Sequence, residues 1–148
     1  MAQRGIREYD AKKMLAEYLP NYMNDFDYNG ELALVIPEID LEVVAVENPW
    51  IKKKRLVIKP DQLFGKRDVH GLVLLDATWD QVKEYLQDKM NKEIMIGSVT
   101  DPLTHFLVEP FVLHDQKEEL YVAIKSDYEG DTIYSVSYTH LTLPTICS

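Results

Sequence analysis

The segment IREYDAKKMLAEYL, residues 6–19, places Ile6, Tyr9, Met14, Leu15, Tyr18 and Leu19 near helical spacing, and Pro20 closes it. The spacing predicts a first helix. ELALVIPE then offers a short apolar strand ending at Pro37. EIDLEVVAVENPW is read as a second helix, against the extended preference of Val43, Val44 and Val46. KRLVIKPD gives a buried strand, Leu56 to Ile58, that delivers Lys59 and Pro60 at its end. GLVLLDA is a further strand. TWDQVKEYLQDKM follows as a helix capped by Thr78 or Asp76, with Trp79, Val82, Tyr85, Leu86 and Met90 on one side. EIMIGSV, HFLVEPFVL, ELYVAIKS and DTIYS are extended runs divided by Asp, Pro or Gly. This order predicts an α+β fold, a mixed sheet with flanking helices and antiparallel pairing late in the chain.

With 148 residues and 46% hydrophobic content, the chain can support one domain with a core of its own, or one lobe of something larger, and two domains are not expected. A formal net charge of -9 disfavours general binding to nucleic acid or other polyanions. The single cysteine, Cys147, stands next to the last residue, so the rest of the chain has no thiol for a disulfide, a nucleophile or a zinc cluster. No apolar run approaches the ~20 residues needed to span a bilayer, and MAQRGIREYDAKK leads into a charged amphipathic pattern, not a signal core. A soluble cytoplasmic protein with no membrane or nucleic-acid partner is the expected reading.

SVSYTHLTLPTICS, residues 135–148, contains no Lys, Arg, Asp or Glu in a chain that is 28% charged. At that composition such a run arises about once in a hundred draws. VSYTHLTLPT is also what the DNA string gtctcttatacacatctgacgctgccgacg encodes, and that string resembles a transposon-type sequencing adapter. Residues 1–134 are therefore expected to be native, and residues 135–148 a foreign tail, to be set aside in fold reasoning.

Of the 16 Lys and Arg residues, seven fall between Lys52 and Arg67. Lys52, Lys53 and Lys54 are read as a solvated basic face, since nothing in the sequence anchors them. Lys59 differs, because it directly follows the apolar run LVI and a second cationic group follows in the turn FGKR. Strand, lysine, glycine-containing turn and Arg67 can form a phosphate cradle of point charge, forked donor and turn amides. Neither GxxxxGK[ST] nor GxGxxG occurs, which excludes the P-loop and the dinucleotide fingerprint. VEPFVLH is a candidate adenine seat, with apolar side chains on the ring faces and backbone at its edge; core packing explains it equally well. Glu118 or Glu119 can accept from ribose hydroxyls or simply face solvent. The four histidines show no metal-ligand spacing, and no G-x-S-x-G elbow is present.

LVIKPDQLFGKR, HGLVLLDATWDQVKEYL and FLVEPFVLHDQKEELYVAI, at their intervals, resemble the amino-terminal ATP-grasp part of the ATP-citrate lyase family and, more distantly, the β subunit of succinyl-CoA synthetases. The resemblance implies a partial ATP-grasp amino-terminal lobe that binds ATP. It carries the phosphate contacts to Lys59 and Arg67, and the adenine and ribose contacts to Pro110, Val112 and Glu119. One position departs from the pattern: Asp68 stands where the family has glycine after the arginine. A carboxylate there repels phosphate oxygens, so Asp68 is expected to turn outward or to pair with Arg67 until nucleotide arrives. The family's Mg2+ ligands, its citrate and CoA regions and its phosphorylated histidine lie beyond the residues compared. The resemblance thus implies a homo- or hetero-oligomeric parent that cleaves citrate with CoA to acetyl-CoA and oxaloacetate, and an isolated chain without lyase activity. A synthetase subunit that ligates without cleaving, and a noncatalytic assembly module, stay open as alternatives.

Overall fold

The structure, a computed structural model, describes residues 5–25, 28–62, 71–96 and 99–137. The chain divides into two units, Met1–Phe111 and Val112–Ser148.

In the first unit a four-stranded antiparallel sheet has the order β1-β6-β2-β3. Its strands are β1 (Ala33–Val35), β2 (Leu56–Pro60), β3 (Leu74–Ala77) and β6 (Phe106–Pro110). Alternation along the strands sorts side chains to two faces. Leu56, Ile58 and Pro60 of β2 share one face with Phe106, Val108 and Pro110 of β6, their register partners. That face is the core. Leu56, Ile58, Phe106 and Val108 are fully buried in one cluster with Val44, Ala45, Ile51, Trp79, Val82 and Leu86. The Tyr85 ring meets Phe106 edge-on, with centroids 5.9 Å apart. The opposite face carries Val57, Lys59, Leu107 and Glu109.

Helix α2 (Leu41–Glu47) supplies Val44 and Ala45 to the core. Its valines are tolerated because burial outweighs their extended preference and Asp40 caps the start, accepting from Glu42 N at 2.9 Å. Helix α3 (Trp79–Lys89) begins in a capping box: Thr78 accepts from the Gln81 amide, and the Gln81 side chain returns to the Thr78 amide. Thr78 is thus the cap of the two candidates. Asp76 instead adopts φ 50, and its carboxylate receives Arg55 Nε at 2.6 Å. The β2–β3 register shifts beside it, between Leu56 and Ile58.

Helix α1 (Glu8–Tyr18) forms as expected but buries no residue. Met14, Leu15 and Tyr18 are about half exposed. Glu8 and Lys12, one turn apart, instead meet Lys59 and Glu109 on the side of the sheet away from the core. EIMIGSV, read as one extended run, folds back on itself: β4 (Glu93–Ile96) pairs antiparallel with β5 (Val99–Pro102).

The second unit contains a long antiparallel hairpin, β7 (Leu120–Asp127) with β8 (Gly130–Ser137). Leu120, Val122, Ile124 and Ile133 remain exposed on it. Every strand pairing among the described residues is antiparallel, within the α+β class that the sequence predicts.

Candidate functional site

The KPDQ stretch, Lys59 to Gln62, ties three parts of the first unit together. Lys59 lies within β2 and not after its end, opposite Leu107 in the β6 register. Its place in the alternation sends the side chain to the face away from the core. Pro60 ends the strand, where the missing amide hydrogen costs little. Asp61 is a fully buried carboxylate. It accepts from the amides of Glu8 at 2.9 Å and Tyr9 at 3.2 Å, and so caps α1 from a distant part of the chain. Arg7, at the N-cap position, makes no side-chain capping bond. A negative group there also meets the positive end of the helix dipole. Gln62 accepts from Thr104 N and donates to Pro102 O, both at 3.0 Å, fixing the turn into β6.

With α1 held in place, its Glu8 and Lys12 reach Lys59. The Lys59 ammonium stands 2.7 Å from Glu8 Oε1 and 2.8 Å from Glu109 Oε1. Lys12 Nζ is 2.9 Å from the same Glu8 oxygen and 2.6 Å from Glu109 Oε2. Burial raises the Glu8 carboxyl, but the hydrogen bonds from Lys59 and Lys12 outweigh it and bring the group down to about 2. Burial lowers Lys12, and the bonds to Glu109 and Glu8 outweigh it in turn, so its pKa rises. Near this cluster the Tyr28 phenol is pushed up, first by burial. The result is a half-buried quartet of alternating charge on the polar face of the sheet.

The other proposed contacts fall elsewhere. Arg67, with Lys66 and Asp68 of the same turn, lies outside the described residues. Pro110 ends β6 opposite Leu56. Val112 and Glu119 belong to the second unit, and Val112 is exposed. His114 connects these two: Nδ1 lies 2.9 Å from Val112 O, and Nε2 lies 2.9 Å from Glu119 Oε1. Both partners are acceptors, so both ring nitrogens donate only in the imidazolium form, and the His114 pKa is raised by the Val112 carbonyl and then by Glu119. Sequence reasoning gives no site role to Glu8 or Lys12, places Glu109 and His114 only within the VEPFVLH segment, and offers no metal spacing for His114. Only the i,i+4 spacing of Glu8 and Lys12 hinted at a pair.

Three cations of the basic run before β2 have acidic partners. Lys52 pairs with Glu42 at 3.6 Å, Lys54 with Glu31, and Arg55 with Asp76. These surface pairs fit the solvated face expected of the lysines. Among the described residues no three His, Cys, Asp or Glu side chains are grouped to hold a metal ion. No described helix is long and apolar enough to cross a membrane.

Residues 2–139 match the family model of the ATP-citrate synthase ATP-grasp domain. The chain belongs to this family. It is 41% identical over 133 residues to the rice ATP-citrate synthase subunit alpha chain protein 1, covering 90% of this chain and 32% of that one. Against the cattle ATP-citrate synthase the identity is 37% over 136 residues, with 90% of this chain and 12% of that protein covered. Among solved structures it resembles the ATP citrate lyase of Methanothrix soehngenii in complex with citrate and coenzyme A. That match has a TM-score of 0.88 and 58% identity, over 95% of this chain and 33% of the other. The chain thus spans about a third of the length of its plant and archaeal relatives. The partial ATP-grasp lobe implied by the sequence is the fold of this family. Both the family match and strand β8, which ends at Ser137, reach past Tyr134 into the charge-free run.

Proposed function

We propose that this chain is the amino-terminal ATP-grasp portion of an ATP-citrate lyase subunit, in which Lys59 contacts the phosphates of ATP. The observation that carries the reading is the Lys59 ammonium, projecting from within β2 and held by Glu8 and Glu109, in a chain of this family. A lysine held this way is a fixed positive charge that an incoming phosphate oxygen can share, and it can stabilise charge on a phosphoryl group in transfer. Arg67 supplies the second phosphate contact, Pro110 and Val112 the adenine seat, and Glu119 the ribose acceptor. The Mg2+ ligands, the citrate and CoA sites and the phosphorylated histidine belong to the remaining length of the subunit, which assembles as a cytoplasmic oligomer.

The complete enzyme phosphorylates citrate with ATP, releasing ADP, passes the citryl group to CoA with loss of phosphate, and cleaves citryl-CoA to acetyl-CoA and oxaloacetate. The 148-residue chain alone forms no acetyl-CoA from citrate. Residues 135–148 are read as foreign to the subunit; the ladder to Ser137 is compatible with that, because backbone hydrogen bonds form whatever the origin of the side chains. Reading the source DNA past the codon for Tyr134 tests this boundary.

Lys59→Ala in the complete subunit tests the phosphate assignment. ATP-dependent turnover is expected to fall about a hundredfold or more while circular dichroism stays unchanged. Unchanged kinetics would refute it. Calorimetry of this chain with Mg-ATP tests nucleotide binding directly, and absence of heat at millimolar nucleotide would favour an assembly module in which Asp68 has abolished binding.

A further inference from the structure

Lys12 is bound to the same two carboxylates as Lys59. It bridges Glu8 Oε1 and Glu109 Oε2, while Lys59 bridges Glu8 Oε1 and Glu109 Oε1. The four groups come from three elements: Glu8 and Lys12 from one face of α1, Lys59 from β2 and Glu109 from β6. Their side chains are between 16% and 30% exposed, so the charges are only partly screened by solvent. Two ammonium ions and two carboxylates cancel.

That balance matters once an anion approaches. When Lys59 turns part of its hydrogen bonding to a phosphate oxygen, Glu8 and Glu109 lose a cation beside a polyanion. Left uncompensated, they would repel the incoming phosphates and hold Lys59 back. Lys12 already touches both.

We propose that Lys12 is a positioning residue for nucleotide binding: it keeps Glu8 and Glu109 neutralised and thereby frees the Lys59 ammonium for the phosphates. This rests on the assignment of Lys59 to ATP phosphate. Lys12 itself touches no nucleotide in this scheme, and its effect is carried by the two carboxylates.

The test uses steady-state kinetics of the complete subunit, with KM for ATP read separately from kcat. Lys12→Met keeps the aliphatic stem and removes the charge. It should raise KM for ATP about tenfold and leave kcat at saturating ATP within about twofold. Lys12→Arg should stay near the parent. The double variant Lys12→Met/Glu109→Gln removes one charge of each sign and should recover most of the lost affinity. A purely structural role lowers kcat at saturating ATP together with the affinity, and that result overturns the proposal. So does a KM for ATP that Lys12→Met leaves unchanged. Should Lys12→Met fail to fold, the double variant decides: a KM within about threefold of the parent supports the proposal, and a larger rise overturns it. Loss of turnover in Lys59→Ala, with no effect of Lys12→Met, overturns this inference alone. Full turnover in Lys59→Ala removes the phosphate assignment and this inference with it.

Discussion

Replacing Asp61 by Ala probes the joint on which the charged cluster depends. The buried carboxylate accepts from Glu8 N at 2.9 Å and Tyr9 N at 3.2 Å. Loss of an N-terminal cap costs about 0.5–2 kcal/mol. Loss of a negative group at the helix start adds about 0.3–1 kcal/mol. Removing a buried charge also removes its desolvation cost, which offsets part of this. A net destabilisation of about 2 kcal/mol is expected, or roughly 8 °C in Tm for a unit of this size. Asp61→Asn retains one acceptor oxygen and should fall between. The assay is a thermal melt followed by circular dichroism, with amide exchange at Glu8 and Tyr9 as the local readout. Both amides should exchange faster in Asp61→Ala, because the first turn of α1 loses its only described side-chain acceptor. A melt lowered by less than about 2 °C, with both amides still protected, would refute the capping argument. In the complete subunit the same variant should weaken ATP binding, since α1 carries Glu8 and Lys12 to Lys59.

Two further predictions concern pH. Glu8 titrates near 2 in the folded chain against 4.5 for the free group, so the unfolded state binds more protons between these values. Its contribution is present above pH ~5 and is lost as pH falls toward 2, at most roughly 3 kcal/mol. Urea melts from pH 7 to 2.5 should show Glu8→Gln less stable at pH 7 and converging on the parent in acid; a constant difference would count against it. His114 has the opposite sign. Its raised pKa means that the contacts to Val112 O and Glu119 favour folding at low pH and are lost as pH rises through the folded-state value. NMR titration should place its midpoint above 6.5, and Glu119→Gln should move it down. A midpoint that ignores this substitution would remove the pair.

Elements were legible in the sequence where their cause is local. Thr78, one of the two candidate caps of α3, the apolar positions of that helix and the run LVI specify structure within a few residues, and the strand begun by LVI carries on through Pro60. The valines of α2 pull the other way, and Asp40 together with burial of Val44 decides for helix. Helix α1 follows from its spacing, but periodicity does not say what a face meets: the sheet offers that helix Lys59 and Glu109, whose partners are Glu8 and Lys12, and Met14 and Leu15 stay about half exposed.

The same distance effect governs the site. Lys59 could be singled out by its place after an apolar run, but its partners lie on α1 and β6, far off in sequence, and no spacing rule connects them. Asp61 appeared only as part of KPDQL, yet it anchors α1. A loss of activity in any KPDQ variant therefore has two possible origins: an altered phosphate contact, or a shifted α1 that no longer brings Glu8 and Lys12 to the sheet. Charge separates them. Lys59→Ala leaves Glu8 and Glu109 with one cation between them, so adding Glu109→Gln should restore the melting temperature without restoring turnover if Lys59 itself meets phosphate. If both return together, the lysine's effect is structural and the phosphate assignment falls.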